Sequence, residues 1–61
     1  MDLKEARFKR RVTQWTLAKR TGIHQSKISL IEHGEIPKKG EKEALSTALG
    51  FKADDIEWPK E

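Results

Sequence analysis

The chain has 61 residues, of which 34% are hydrophobic, so residues 1–61 form one small domain without room for a catalytic domain beside a binding domain. Its 13 basic and 10 acidic residues give a net charge of +3, and the absence of cysteine excludes a disulfide framework and cysteine-ligated zinc. No apolar run reaches the ~18–20 residues of a membrane span, and the charged N-terminus lacks a signal peptide's apolar stretch, so we expect a cytoplasmic protein without a membrane partner.

The first predicted helix begins after Asp2, which forms a capping-box pattern with Glu5 three residues later. Leu3, Ala6 and Phe8 supply the apolar side of this helix. These features predict a short helix that packs one face on a core.

The second and third predicted helices each carry their own boundary signals. Thr13 is a favourable N-cap for the second helix, and Gly22 can take the positive φ that ends it. On the third helix, Ile28 and Ile31 form an apolar pair three residues apart, and Gly34 ends the helix.

The second half of the chain predicts a loop, a fourth helix and a last short helix. Segment 35–40 is polar and contains Pro37 and Gly40, which favours a loop. Asp54 and Asp55 suit the first turn of the last helix. No stretch alternates with period 2, so the predicted fold is all-α. The five short helices are predicted over residues 3–10, 14–21, 25–33, 41–49 and 53–57.

Apolar residues from every predicted helix supply the core. The predicted core is Leu3, Ala6, Val12, Leu17, Ala18, Ile23, Ile28, Ile31, Leu45, Leu49, Phe51 and Ile56.

Two tryptophans have no single expected position. Trp15 either packs against the first helix or faces solvent or a bound partner, and Trp58 either covers the end of the last helix or lies in a dimer contact.

The second and third helices are joined by about three residues, and a turn that short makes two helices cross steeply. This is helix-turn-helix geometry, over about residues 14–33, in which the second helix of the pair places its N-terminal residues in the major groove of DNA. Here these residues are Gln25, Ser26 and Lys27. Glutamine can form two hydrogen bonds with an adenine edge, lysine can reach guanine or a phosphate, and serine can hydrogen-bond to either kind of base edge. The spacing therefore predicts double-stranded DNA as the partner.

The distribution of charge agrees with a polyanionic partner. Residues 1–20 hold seven basic and two acidic residues, whereas residues 41–61 hold three basic and six acidic ones. This pattern indicates one end suited to a polyanion and another turned away from it. A solvated helix surface would give the same pattern, so charge alone leaves both interpretations open.

Several short steps with fixed spacing resemble the phage Cro and repressor DNA-binding domains, also called the XRE-type helix-turn-helix family. These steps are Thr13-Gln14-x-x-Leu17-Ala18, Thr21-Gly22-Ile23, Gln25-Ser26-x-Ile28-Ser29 and Ile31-Glu32-x-Gly34. The later segment 48–51, Ala-Leu-Gly-Phe, is similar to that family's fourth-helix ending. The resemblance covers about residues 3–56 and implies a lambda-repressor-like fold.

The resemblance also implies roles for individual residues. Gln14 would bond a DNA phosphate at the positive end of the second helix. Arg7 and Glu32 fill positions at which family members often hold an arginine of the first helix against a glutamate of the third. The residues expected at base edges are Gln25, Ser26, Lys27 and Ser29. The residues expected at the DNA backbone are Thr13, Gln14, His33, Lys38 and Lys39.

The sequence departs from the family pattern at a few positions. Arg11 stands where the family usually has a glycine at the end of the first helix, and His24 stands where a serine or threonine usually caps the third. Lys39 and Lys42 stand where the start of the fourth helix is often apolar. These departures concern local stability and loop geometry and remove no residue expected to face DNA.

Together these features predict a sequence-specific transcriptional regulator, a repressor that forms a weak homodimer on a two-fold operator. A second hypothesis is an antitoxin or adaptor that keeps the fold and binds a protein through its fourth and fifth helices. No catalytic constellation, phosphate-binding loop or metal-ligand cluster stands in the sequence, so we expect no enzyme activity, cofactor or metal.

Overall fold

The chain folds into four α-helices and one 3-10 turn, without a strand, in a computed structural model that describes all 61 residues. The predicted all-α class is thereby confirmed. The helices are α1 (Leu3–Lys9), α2 (Gln14–Thr21), α3 (Gln25–Glu32) and α4 (Lys39–Ala48), and the 3-10 turn spans Ala53–Asp55. Apart from the start of α4 and the extent of the last element, the predicted ends agree with the observed ones within one residue. None of the helices is long and apolar enough to cross a membrane.

The predicted fifth helix is wrong in extent, because only a single 3-10 turn forms. Ile56 leaves the helical region with φ −111° and ψ 134° and is buried in the core. The indole Nε1 of Trp58 donates a hydrogen bond to the Ala53 carbonyl at 3.0 Å, so Trp58 covers this turn within its own chain. Burial of Ile56 and packing of the partly buried Trp58 against the core bend the chain out of the helical conformation that its local sequence favours.

The predicted loop over residues 35–40 is also wrong at its end, because α4 begins at Lys39 rather than at residue 41. The backbone N–H of Lys38 donates to the Glu41 carboxylate at 2.8 Å, which is one half of a capping box. Gly40 therefore lies in the first turn of α4. The three-residue spacing of Lys38 and Glu41 was a sequence signal for a helix that starts here, but Pro37 and Gly40 favoured a loop.

The predicted caps of the first two helices are confirmed. Asp2 and Glu5 each accept the other's backbone N–H, at 2.8 and 3.0 Å, and so form the capping box of α1. The Thr13 hydroxyl accepts the N–H of Thr16 at 3.1 Å at the start of α2. Gly22 ends α2 with φ +76°, a conformation that costs other residues about 1–2 kcal/mol. These caps fix where α1 and α2 begin and where α2 ends.

Nine of the twelve predicted core residues are buried, and Ala18, Ile23 and Phe51 are half-buried against them. The buried core is Leu3, Ala6, Val12, Leu17, Ile28, Ile31, Leu45, Leu49 and Ile56. Phe8 does not belong to the apolar side of α1, since its side chain is exposed. Trp15 is 69% exposed, which excludes core packing against α1.

Arg10 ties the end of α1 to the end of α4. Its Nε donates to the Leu49 carbonyl at 2.8 Å, and its guanidinium lies 4.2 Å from the centroid of the Phe51 ring. The stacked cation and the hydrogen bond hold α1 across the bundle.

Arg11 is the only residue other than glycine with a positive φ, at +55°, where the resemblance placed a glycine. We expect Arg11→Gly to raise the free energy of unfolding by up to about 1 kcal/mol, because the left-handed conformation strains a side chain with a Cβ. Thermal unfolding followed by circular dichroism measures the effect. As a control, Lys9→Gly in the last turn of α1 should lower stability by about 0.5–1 kcal/mol. A similar loss in both variants would contradict the assignment of strain to Arg11.

Candidate nucleic-acid interface

The α2–α3 pair is built around a three-residue turn whose backbone is held by one threonine side chain. The Thr21 hydroxyl donates to the Leu17 carbonyl at 2.8 Å and accepts the Ile23 N–H at 3.1 Å. Gly22 N–H donates to the Ala18 carbonyl at 2.8 Å. This bonding fixes the crossing of α2 over α3 and sets which face of α3 is buried.

Ile28 and Ile31 point into the core, so the opposite face of α3 is left outside. Successive residues advance by about 100° around a helix axis, which gives the order of the remaining side chains. In order around the helix these are Gln25, Ser29, His33, Ser26, Leu30 and Lys27. The four residues predicted at base edges therefore share this outer arc with Leu30 and His33, and no acidic residue lies in the first turn of α3.

Arg7 of α1 and Glu32 at the end of α3 form a bidentate ion pair. The Nε and Nη2 of Arg7 donate to the two carboxylate oxygens at 2.8 and 3.1 Å. The Nη1 of Arg7 also donates to the Val12 carbonyl at 3.1 Å. Because the Glu32 side chain is only 2% exposed, its charge depends on these partners for compensation.

A chain of hydrogen bonds runs from this ion pair to the start of α3. Gln14 donates through Nε2 to Glu32 Oε1 at 3.0 Å, and Gln25 donates through Nε2 to Gln14 Oε1 at 2.6 Å. Gln25 retains one amide hydrogen and its carbonyl oxygen, the donor and acceptor that an adenine edge requires. The side chain of Gln14 thus lies against α3, with one amide hydrogen still available.

Sequence reasoning gave Gln14 a phosphate role only and did not foresee its bond to Gln25. Gln25, Ser29 and Glu32 stand at i, i+4 and i+7, so they form one stripe along α3. That stripe indicates that one polar side chain could reach both Gln25 and Glu32, but it does not identify Gln14 as that side chain. The direction of each amide, however, depends on the buried charge of Glu32.

Lys27 is paired with a carboxylate of its own chain. Its ammonium group contacts the Glu35 carboxylate, and this hydrogen bond raises the pKa of Lys27 above its usual 10.5, so the group is charged at neutral pH. Both side chains remain partly exposed. A contact of Lys27 with a base or phosphate therefore requires exchange of this partner.

The remaining predicted site residues lie around the ends of α2, α3 and α4. Ser26 Oγ lies 3.1 Å from the Nδ1 of His24, which makes no capping bond to α3. His33 Nδ1 lies 2.7 Å from the Ser29 carbonyl. Thr13 is exposed at the start of α2, and Lys38 and Lys39 are exposed at the start of α4. Positive ends of helices and lysines together suit an anionic partner.

Comparison with known proteins agrees with this architecture. A model of the helix-turn-helix domain family matches residues 2–58. Neither the comparison with curated proteins nor that with solved structures gave a match. The matched range extends from the α1 capping box to Trp58, so the family pattern covers the whole fold and not only the α2–α3 pair.

Proposed function

The chain belongs to the helix-turn-helix domain family, and from this membership we propose that it is a sequence-specific regulator of transcription that binds double-stranded DNA. It acts as a repressor, as a dimer on a two-fold operator, by occupying DNA that the transcription machinery needs. The observation that carries this proposal is the outer face of α3, on which the Gln25 amide is held by Gln14 with a donor and an acceptor free.

In this proposal α3 lies in the major groove and α2 rests on the DNA backbone. Gln25, Ser26 and Ser29 meet base edges, and Lys27 exchanges Glu35 for a base or a phosphate. Gln14 keeps Gln25 oriented while its remaining amide hydrogen meets a phosphate. The first turn of α2 contains no acidic residue, so a phosphate can approach without repulsion from that turn.

The DNA backbone beyond α3 is assigned to residues at helix ends. Lys38 and Lys39 precede and begin α4, and both side chains are exposed, so their ammonium groups can reach a phosphate. His33 and Thr13 complete the set at the ends of α3 and α2. Such contacts fix the position of the domain on the duplex, while specificity comes from α3.

Selection from random duplexes, followed by binding measurements over a range of salt concentrations, tests the proposed function. We expect a preferred sequence with two inverted half-sites about one helical turn apart. The affinity should fall steeply with salt, with a logarithmic slope of about −0.9 for each phosphate neutralised by a lysine or arginine. An antitoxin or adaptor that uses only a protein partner would enrich no duplex, and that outcome would contradict the proposal.

Lys38→Ala is expected to weaken preferred and unrelated duplexes by similar factors and to reduce the salt slope by about one. The backbone N–H of Lys38 that caps α4 remains, so the fold should be unaffected. Lys60→Ala, which also removes one exposed lysine, is the matched control and should leave the slope unchanged. A loss confined to the preferred duplex would instead place Lys38 among the residues that contact bases.

Sedimentation of the free protein at micromolar concentration is expected to give a monomer of 7.0 kDa, whereas the operator complex should hold two chains. Trp58 packs within its own chain, so it supplies no free anchor for a dimer. A standard interface of about 800 Å² per partner would take nearly a fifth of the 4264 Å² surface. Two half-sites hold two monomers at high effective concentration. A stable species of twice the monomer mass without DNA would contradict this prediction.

A further inference from the structure

One large apolar side chain lies on the otherwise polar outer face of α3. Leu30 is 52% exposed, although leucine is among the residues most often buried. Its backbone carbonyl accepts the N–H groups of His33 and Glu35 at 3.1 and 2.9 Å, and these bonds end the helix. Because they involve only the main chain, they leave the exposed side chain without a structural role in ending α3.

Leu30 lies among the residues assigned to base edges. At about 100° per residue, it is displaced by about 40° from Ser26 and by about 60° from Lys27 around the α3 axis. It also follows Ser26 by one turn along the helix. A helix that presents Ser26 and Lys27 to the floor of the major groove therefore presents Leu30 to the same floor.

We propose that Leu30 determines specificity by contacting the C5-methyl group of a thymine, an inference that rests on the proposed function. The thymine methyl is the apolar feature of the base-pair edges in the major groove. An aliphatic side chain offers no hydrogen bond, so against a guanine or cytosine edge it would cover polar atoms without giving them a partner. Against a thymine methyl, both surfaces leave water.

Deoxyuridine provides the test, since it differs from thymidine at the base only by the absence of this methyl group. Each thymine of the selected operator is replaced by deoxyuridine in turn, and affinity is measured for the unaltered protein and for Leu30→Ala. We expect one replacement per half-site to weaken the unaltered protein by about fourfold, the effect of one buried methyl-sized group. Leu30→Ala should bind the thymine and deoxyuridine operators equally.

Ile36→Ala is the matched control, because Ile36 is also an exposed aliphatic residue, at 45%, but lies beyond the end of α3. It should retain the fourfold discrimination. Leu30→Gln, which keeps the side-chain length and a high helix propensity, provides a second variant should Leu30→Ala fold poorly, and it should also lose the discrimination.

The possible outcomes separate this inference from the proposed function. If no duplex is bound, the proposed function fails first. If the operator is bound but no deoxyuridine replacement matters, or if Leu30→Ala still discriminates, the assignment of Leu30 is overturned while DNA binding stands. A third outcome is that the unaltered protein is insensitive to the methyl group, while Leu30→Ala weakens both operators equally and yields a complex with one chain instead of two. Leu30 would then belong to a contact between protein chains, and its assignment to a thymine would be overturned.

Discussion

Replacing Arg7 by methionine is expected to destabilise the domain by about 3–5 kcal/mol, because it leaves the carboxylate of Glu32 buried without its bidentate partner. The change also removes the donor to the Val12 carbonyl. Small domains have only about 5–15 kcal/mol of stability in total. Thermal and urea unfolding of Arg7→Met should therefore show a melting temperature lower by more than about 10 °C.

Two further variants identify the cause of this loss. Arg7→Met combined with Glu32→Leu should recover part of the lost stability, since it removes the unpaired charge. Recovery stays incomplete because Gln14 also loses its acceptor. Lys27→Met breaks the partly exposed pair with Glu35 and should lower stability far less than Arg7→Met does, because solvent screens this pair. Strict additivity of the Arg7 and Glu32 changes would show that the two residues do not interact energetically.

Replacing Gln25 by alanine is expected to reduce affinity for the preferred operator by about 1–3 kcal/mol, or roughly 5- to 150-fold, and to relax the preference at one base pair per half-site. The loss follows from the free donor and acceptor of the Gln25 amide, which match adenine N7 and N6. Repeating the duplex selection with the variant measures the change in preference. An unchanged preference would contradict the assignment of Gln25.

Gln14→Ala separates the orientation of Gln25 from its contact with the base. This variant keeps the Gln25 side chain but removes the acceptor that holds it at 2.6 Å. We expect a weaker preference at the same base pair and a lower affinity for every duplex, because Gln14 is also assigned a phosphate. The salt slope should stay unchanged, since the neutral amide of Gln14 displaces no counterion. A similar loss of affinity for all duplexes with an unchanged preference would restrict Gln14 to the phosphate contact.

Local signals were sufficient where a single side chain determines a backbone conformation. The Asp2–Glu5 pattern, Thr13 and Gly22 each act on the residues next to them, so the limits of α1 and α2 could be predicted. The 3-10 turn could not, because its extent depends on Ile56 and Trp58 packing against distant parts of the chain. Local propensity yields to such tertiary contacts.

The same distinction applies to the candidate interface. The spacing of α2, the turn and α3 predicted which residues lie on the outer face of α3. The partners of those residues could not be read from the periodicity of one helix, since they come from other elements: Gln25 meets Gln14, and Lys27 meets Glu35 beyond the end of α3. Whether a polar side chain on a surface helix is free or occupied depends on the tertiary arrangement.

The hydrogen bond between Gln14 and Gln25 bears on how this surface could be engineered. A graft of the outer α3 residues onto another scaffold would bring Gln25 without the groups that orient it, because Gln14 lies on α2 and in turn depends on Glu32 and Arg7. The smallest set of residues that could be transferred with the Gln25 geometry intact is therefore spread over three helices. Mutant libraries that vary Gln25 alone explore new sequence preferences within one fixed amide geometry, whereas libraries that vary Gln14 together with Gln25 change that geometry as well.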